Sequence, residues 1–232
     1  MEKIMHTLEY IDLGIKNYQE AWDYQEELLE GVVEAKKKNK ADGKIIIPGY
    51  LILCEHPHVY TLGKSGDANN LLIQESFLKS INATYYKINR GGDITYHGPG
   101  QLVGYPIIDL ESFKLGVKEY VHLLEEVIIQ TLGQYNISAT RLEGATGVWL
   151  DVSTPKVRKI CAIGVRISRY VTMHGFALNV NTDLKYFSHI NPCGFQDKGV
   201  TSMQKELGRE MDMKEIKTQF NSQFSRIFRV SL

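Results

Sequence analysis

The densest group of chemically useful residues is the stretch RGGDITYHGPGQ at 90–101, in which four glycines surround Arg90, Thr95, Tyr96 and His97. Glycine lets a backbone approach a ligand closely, because it lacks a Cβ atom and tolerates positive φ. The stretch is therefore compatible with a loop that wraps a substrate. It is equally compatible with a β-hairpin whose turns need glycine. It is not a phosphate-binding P-loop, since no Gly-Lys-Ser/Thr follows.

A second group lies in KVRKICAIGVRISR at 156–169, where a lysine, Lys159, interrupts an apolar strand pattern. Side chains alternate between the two faces of a strand. A lysine that faces a core needs a partner, although a lysine near a strand end more often reaches solvent. We expect one face to carry Lys159, Cys161, Ile163 and Val165, and the other to carry Ile160, Ala162, Gly164 and Arg166.

The thiols form the third group. Cys193 lies between a proline and a glycine in INPCGF at 190–195, which predicts an accessible turn, whereas Cys54 lies in an apolar run that is typical of a core. A free thiol is mostly protonated near neutral pH and needs a neighbouring cation or base. An ammonium about 4 Å away is worth roughly 4 kcal/mol, which would lower a thiol pKa by about 3 units. Lys159 could supply this charge. Its predicted strand face also carries Cys161, so either Cys161 or Cys193 could be the thiol that it activates.

Histidines and basic residues allow further alternatives. His56 and His58 form a His-x-His pair, but no third ligand cluster accompanies them, so we expect no metal. His174 is compatible with a cleft or with a core position. The run 152–182 holds basic but no acidic residues. It predicts either a positive face that attracts an acidic partner or a solvated strand edge.

The elements that must position these residues follow from hydrophobic periodicity. The basic run 36–44 predicts an exposed turn after the first helix, and no repeat or linker divides the chain. We expect one mixed α/β domain over 1–232, with a sheet flanked by helices. The predicted helices span 18–38, 71–81, 117–135 and 213–228, with a helical turn at 185–190, and the predicted strands span 7–13, 45–62, 84–89, 105–110, 147–150, 157–168 and 171–180.

Composition narrows the class of protein. The chain has 232 residues, of which 43% are hydrophobic, and its 27 basic residues balance 27 acidic ones. A neutral chain of this kind argues against nucleic acid as the main partner. The sequence has no apolar run long enough for a membrane span and no secretory signal, so we expect a cytoplasmic protein. Three widely spaced cysteines fit neither a disulfide framework nor a zinc site.

Four motifs, in this order, closely resemble the lipoyl(octanoyl) transferase family: RGGDITYHGPGQLVGYPI at 90–107, KICAIGVRI at 159–167, HGFALNVN at 174–181 and INPCG at 190–194. The resemblance implies the fold of the biotin and lipoate protein ligase catalytic domain. It implies transfer of octanoate from acyl carrier protein to a lysine of a lipoyl domain, the first step of protein lipoylation, without a cofactor. The implied acceptors are the lipoyl domains of 2-oxoacid dehydrogenases and the glycine cleavage H protein.

The same resemblance assigns residues. It implies that Cys193 carries the acyl group as a thioester and that Lys159 lowers the thiol pKa. The implied acyl pocket consists of Arg90, Gly91, Gly92, Asp93, Ile94, Thr95, Tyr96 and His97, together with Ala162, Ile163, Gly164, Gly175, Phe176 and Ala177.

Two other classes of function stay open. An ATP-dependent lipoate or biotin ligase would share the fold and a lysine but would not need a turn cysteine. A non-catalytic protein that binds acyl carriers or lipoyl domains would show no turnover and no covalent intermediate.

Overall fold

A mixed β-sheet forms the centre of the fold. The computed structural model describes residues 6–42, 47–191 and 198–232. The strands are β1 (His6–Thr7), β2 (Glu9–Ile15), β3 (Tyr50–Glu55), β4 (Val59–Leu62), β5 (Thr84–Lys87), β6 (Ile94–His97), β7 (Gln101–Ile107), β8 (Thr140–Leu142), β9 (Ala145–Leu150), β10 (Arg158–Ser168), β11 (Val171–Asn179), β12 (Gly199–Val200) and β13 (Val230–Ser231). The helices are α1 (Tyr18–Asp42), α2 (Glu75–Ser80), α3 (Leu110–Phe113), α4 (Val117–Gly133), α5 (Met203–Leu207) and α6 (Met213–Phe228), with 3-10 turns at Ala68–Asn70 and Leu184–His189.

The large sheet has the order β2-β3-β7-β11-β10-β9-β8, and β12 pairs with β10. The β2–β3 and β10–β12 pairs are parallel and the other pairs are antiparallel. A separate sheet of order β5-β4-β6 packs beside it. The predicted mixed α/β architecture with flanking helices is confirmed.

Alternation along β3 shows how the sheet is covered on both faces. Leu51 and Leu53 pack into the cluster that contains α4 and α6, whereas Ile52 and Cys54 pack into the cluster that contains α1. Side chains two apart on a strand share a face, so a run that is apolar at every position indicates burial on both sides. Helix α6 contributes Ile216, Phe220 and Phe224 at a spacing of four, as its periodicity predicts.

The prediction of an exposed turn at 36–44 is wrong over 36–42, and residues 43 and 44 lie outside the described residues. Helix α1 continues to Asp42, and Lys36 is only 7% exposed. Its amine lies 2.6 Å from Asp109, 2.7 Å from Glu111 and 2.8 Å from the Arg169 carbonyl. Lys36 follows Leu29, Val32 and Val33 at helical spacing and so returns to the buried face. These partners, which lie more than 70 residues away in the sequence, offset the cost of burying the Lys36 ammonium.

The glycine-rich stretch does not form a hairpin. Strand β6 pairs with β4 in the small sheet, and β7 pairs with β3 and β11 in the large one. The chain therefore crosses between sheets at residues 98–100. Gly100 has φ +78°, and a Cβ atom there would lie 2.5 Å from the Asn181 carbonyl oxygen, so the crossing requires glycine.

The hairpin of β10 and β11 presents a long, regular surface. It turns at Arg169 and Tyr170, both of which have positive φ. That conformation is the one required in two-residue turns that match strand twist. Among the residues described, no helix has the length and apolar character needed to cross a membrane.

Candidate active site

A cavity of about 400 Å³ lies between the small sheet and the β10–β11 hairpin. Three segments that the sequence singled out meet in its wall: the glycine-rich loop with β6, the middle of β10, and the middle of β11. The predicted site residues that line it are Arg90, Gly92, Asp93, Ile94, Thr95, His97, Lys159, Ala162, Ile163, Gly164, Gly175, Phe176 and Ala177.

Two residues of the predicted pocket do not line the cavity. Tyr96 is fully buried in the small sheet, where its hydroxyl bonds His58 Nδ1 at 2.7 Å and its ring stacks on Tyr186. Gly91 instead holds the loop in place, because its N–H donates to the Val165 carbonyl of β10 at 2.9 Å. Successive side chains on a strand point to opposite faces, and Thr95 faces the cavity, so the side chain of Tyr96 points away from it.

Arg90 anchors the glycine-rich loop from inside the protein. Its Nη2 donates to the carbonyl and the hydroxyl of Thr61 at 2.7 and 3.0 Å, and its Nη1 donates to the Gly91 carbonyl. The loop then passes close to β10: a Cβ atom on Gly164 would lie 3.0 Å from the Gly91 carbonyl oxygen. Glycine at 164 therefore allows the approach of loop and strand that forms the cavity wall.

The inner end of the cavity holds neutral histidine and tyrosine side chains beside the guanidinium of Arg90. Burial lowers the pKa of His97 well below its usual value and that of His174 to about 3, so both rings are neutral. Burial raises the pKa of Tyr105 and keeps its hydroxyl protonated. The wall contains both apolar side chains and neutral polar groups. Such a wall suits a narrow, uncharged chain.

His174 is held in an uncommon conformation. It lies within strand β11, yet its φ is +56°. Its N–H donates to Gln25 Oε1 at 3.0 Å, and its Nε2 pairs with Asn89 Oδ1 at 2.9 Å. A non-glycine residue in this region costs on the order of 1–3 kcal/mol, and such outliers cluster at functional sites. The next residue, Gly175, lies against the Gly104 carbonyl, where a Cβ atom would come within 2.2 Å.

Lys159 reaches the cavity through a β-bulge. The register of β10 with β9 shifts between Lys159, opposite Trp149, and Cys161, opposite Val148. The prediction that Lys159 and Cys161 share a face is therefore wrong: Lys159 lines the cavity, and Cys161 is fully buried in the large core. Gly147, opposite the bulge, has φ +121°, and a Cβ atom there would meet the Cys161 carbonyl at 2.6 Å.

Two contacts fix Lys159. Its Nζ lies 4.5 Å from the ring centre of Trp149, a cation–π geometry. The Trp149 indole is itself held, since Nε1 donates to the Ala145 carbonyl at 2.9 Å. On its other side, Lys159 lies opposite Val200 in the parallel pairing with β12.

Neither of the two thiols that the structure describes is available for chemistry in the cavity. Cys54 and Cys161 are both fully buried, and burial raises the pKa of each far above its usual range. Cys193 lies outside the described residues. On either side of 192–197, Asn191 is bonded to the Asn70 carbonyl, and Lys198 lines the cavity.

The structure disfavours a metal site at His56. Its Nδ1 pairs with the Lys16 carbonyl and its Nε2 with the Tyr105 hydroxyl, each at 2.7 Å. Both ring nitrogens are therefore occupied by protein groups. Within the described ranges, no cluster of three or more His, Cys, Asp or Glu residues is arranged to hold a metal ion.

The predicted positive face is partly neutralised by acidic residues from elsewhere in the chain. Arg158 forms a bidentate pair with Glu206, at 2.7 and 2.6 Å, and a further pair with Asp151. Arg166 pairs with Glu26 of α1 at 2.6 Å. Lys156 and Arg169 remain exposed.

Several cavity residues were not among the predicted site residues. Gln101 and Asn179 lie inside the motifs that carried the resemblance, and Trp149 directly follows a glycine-valine pair, so their signal was present but unused. Tyr18 and Phe187 come from a helix and a 3-10 turn, whose patterns carry no such signal. His174 takes the cleft position that was one of its two alternatives. The cavity residues missed from the sequence include Tyr18, Gln101, Val103, Tyr105, Trp149, Asn179, Phe187, Lys198 and Val200.

Comparison with known folds defines the class of protein. A bipartite lipoate protein ligase from Thermoplasma acidophilum superposes with a TM-score of 0.70 at 14% identity, over 98% of this chain and 86% of that one. A biotin protein ligase from Aquifex aeolicus gives 0.52 at 13%, over 96% and 70%. The fold is therefore that of lipoate and biotin ligase catalytic domains.

Sequence comparison is more specific. The model of the lipoyl protein ligase A/B catalytic domain matches residues 17–225. An octanoyltransferase from Christiangramia forsetii is 56% identical over 227 residues, 97% of each chain. The chain belongs to the octanoyltransferase family within the lipoyl protein ligase A/B class, and it is an acyltransferase.

Proposed function

We propose that this enzyme moves an octanoyl group from acyl carrier protein to a lysine of a lipoyl domain, through a thioester on Cys193. The acceptors are the lipoyl domains of 2-oxoacid dehydrogenases and the glycine cleavage H protein. The observation that carries the proposal is the position of Lys159 in the cavity wall, opposite Val200 on the strand that follows residues 192–197. Burial of Cys54 and Cys161 supports the choice of nucleophile.

In the first half-reaction the Cys193 thiolate attacks the carbonyl carbon of the acyl-carrier thioester. Backbone N–H groups hold the oxyanion of the tetrahedral intermediate, and the carbon–sulfur bond to the carrier breaks. The Lys159 ammonium donates its proton to the carrier sulfur, which leaves as a thiol, and Lys159 is left as the free amine. The ammonium of Lys159 favours the thiolate form of Cys193 before attack.

In the second half-reaction the neutral amine of the acceptor lysine attacks the enzyme thioester. Lys159, as the free amine, receives the proton lost by the attacking nitrogen, an amide forms, and the Cys193 thiolate is released. No ATP is consumed, because the thioester already supplies the driving force. Two successive half-reactions of this type give ping-pong kinetics.

The cavity accounts for a medium-chain acyl group. Burial of about seven methylene and methyl groups at roughly 0.8 kcal/mol each supplies on the order of 5 kcal/mol. The rings of His97 and His174 are neutral, so an acyl chain that packs against them does not desolvate a charge at these two positions.

Intact mass measurement tests the proposal. Purified enzyme incubated with octanoyl carrier protein should gain one octanoyl group, and peptide mapping should place it on Cys193. Cys193→Ala should abolish the adduct, whereas Cys54→Ala and Cys161→Ala should keep it in the folded fraction. An adduct that persists in Cys193→Ala would refute the nucleophile, and transfer from free octanoate that requires ATP would indicate a ligase. Binding of both proteins without an adduct or turnover would indicate a non-catalytic role.

A further inference from the structure

A chain of buried hydrogen bonds joins the glycine-rich loop to the strand that carries Lys159. It begins where Arg90 Nη2 donates to Thr61 Oγ1 at 3.0 Å, and Thr61 Oγ1 lies 3.4 Å from His97 Nε2. His97 Nδ1 lies 2.8 Å from Gln101 Oε1. The chain therefore runs along the inner wall of the cavity as far as β7.

The second half of the chain crosses the large sheet. Gln101 Nε2 donates to Asn179 Oδ1 at 2.9 Å, and Asn179 Nδ2 donates to the Thr201 carbonyl at 3.0 Å. The N–H of Thr201 then donates to the carbonyl of Lys159 at 2.9 Å. Gln101, Asn179 and Thr201 are 1%, 4% and 0% exposed, so water does not compete for these bonds.

The backbone carbonyls of Thr201 and Tyr96 determine which group is the donor in each hydrogen bond between these side chains. A carbonyl oxygen only accepts, so the amide nitrogen of Asn179 must face Thr201, and that of Gln101 must face the Tyr96 carbonyl, 3.1 Å away. Gln101 Oε1 is then an acceptor and His97 Nδ1 carries the proton. Burial lowers the pKa of His97 and keeps the ring neutral, so its Nε2 accepts from the Thr61 hydroxyl. All donors point from Arg90 toward Lys159.

Asn179 is the link on which the position of Lys159 depends. It connects β11 to Thr201, the residue that follows β12, and Thr201 bonds the Lys159 backbone directly. Asn179 therefore ties to β11 the segment that pairs with the strand of Lys159. An error of about 1 Å between reacting groups can cost on the order of a hundredfold in rate.

We propose that Asn179 is a positioning residue for acyl transfer, acting through Thr201 on Lys159, with Gln101 orienting its amide. The inference rests on the proposed function, because it assumes that Lys159 takes part in the transfer. It adds a requirement that the proposed function does not contain: an amide donor at 179 that never reacts with substrate.

The test is Asn179→Asp, which keeps the size and the acceptor but replaces the donor with a second carboxylate oxygen. At neutral pH we expect kcat to fall about 10- to 100-fold with KM for octanoyl carrier within about threefold. A protonated carboxyl can donate to the Thr201 carbonyl, so the ratio of variant to wild-type kcat should rise as the pH falls from 8 to 5.5. The other ionisable groups near this series of bonds are present in both proteins, so wild type measured at the same pH is the reference: Tyr18, Arg90, Asp93, His97, Tyr105, Lys159, His174 and Lys198 along the cavity, and Glu206 with Arg158 beside Thr201.

Asn181→Asp is the matched control. Asn181 lies two residues further along and donates to the Met211 carbonyl at 2.8 Å, so it loses the same kind of bond. That bond leads to the start of α6 and not to Lys159. We expect Asn181→Asp to lower the melting temperature while kcat stays within about twofold and the ratio to wild type does not depend on pH.

Outcomes separate this inference from the proposed function. If Cys193→Ala and Lys159→Gln abolish transfer while Asn179→Asp matches wild type at every pH, the positioning role is refuted and the function stands. If the wild-type enzyme forms no thioester, the function itself fails. If Asn179→Asp does not fold, Gln101→Glu interrupts the same series of hydrogen bonds one link earlier. The ratio of its kcat to that of wild type should also rise as the pH falls. A folded Gln101→Glu protein whose ratio does not rise would refute the inference.

Discussion

Lys159 and Val200 lie opposite each other in two parallel strands, and Thr201 bonds the Lys159 carbonyl directly beyond that pair. The pairing joins the cavity wall to the part of the chain that follows residues 192–197. A bulge in β10 turns Lys159 toward the cavity and Cys161 toward the core.

The first prediction concerns the charge of Lys159. Lys159→Gln keeps a polar side chain of similar reach but removes the cation and the proton acceptor. We expect kcat for transfer to a lipoyl domain to fall about 10²- to 10⁴-fold, the range for loss of general acid–base assistance. Exposed Lys156→Gln is the control and should stay within about twofold. A loss below threefold in Lys159→Gln would contradict its proposed role.

The second prediction concerns acyl-chain length. Ala162 lines the cavity, and Ala162→Leu adds three carbon atoms to its wall. We expect the preferred donor to shift from octanoyl to hexanoyl carrier protein, since each methylene that no longer fits loses about 0.8 kcal/mol, or roughly fourfold in kcat/KM. Exposed Ala68→Leu should leave the profile unchanged. An unaltered preference in Ala162→Leu would mean that the chain binds elsewhere.

The third prediction concerns stability against pH. Burial lowers the pKa of His56 to about 4 and that of His174 to about 3, and lowers that of His97 as well. Below pH 6.5 the unfolded chain binds protons at these rings that the folded chain does not. The free energy of unfolding is therefore fully present above pH 6.5 and falls with decreasing pH, by about 1.4 kcal/mol per unit for each histidine.

Urea unfolding at pH 7.5, 6, 5.5 and 5 measures this slope. His56→Gln replaces one buried ring, so the slope of the unfolding free energy against pH should decrease by the contribution of about one proton. His122→Gln, at an exposed position, is the matched control. A stability that is constant from pH 7.5 to 5 would show that the buried rings take up protons without unfolding.

The fourth prediction concerns the buried ion pair of α1. The side chains of Lys36 and Asp109 are 8% and 3% exposed. Lys36→Met leaves the carboxylate of Asp109 buried without its cation. We expect a loss of about 3–5 kcal/mol in the free energy of unfolding. Lys37→Met removes a neighbouring pair with Glu34 in which both side chains are 56% exposed, and should cost less than about 1 kcal/mol. Equal costs in thermal or urea unfolding would contradict the burial of Lys36.

Most elements could be predicted because their signals are local. The spacing of Ile216, Phe220 and Phe224 predicts helix α6, and runs of apolar and β-branched residues predict strands β3 and β10. The cavity wall could be predicted at Arg90, His97 and Gly164, because the motifs that contain them lie within single segments of chain. The boundaries of β7 and the pairing of β6 could not, since both depend on a neighbouring sheet.

Where prediction failed, a distant residue made the difference. Lys36 looked solvated until Asp109, 73 residues away, supplied its counter-charge. Arg158 and Arg166 looked like a positive surface until Glu206 and Glu26 paired with them. A charged side chain can be buried only if an opposite charge lies beside it, and hydrophobic periodicity in one segment does not show the partner from another segment.

By itself, the sequence determined the class of enzyme, most of the secondary structure and about half of the residues that surround the cavity, because each of these is encoded in contiguous motifs and local periods. Only the tertiary structure decided that Lys159 turns away from Cys161, that Tyr96 leaves the cavity, and that Gln101, Asn179 and Thr201 form one chain of hydrogen bonds. The physical reason is that a bulge, a sheet crossing and a buried polar network each require partners from several strands, and the geometry exists only after those strands have packed.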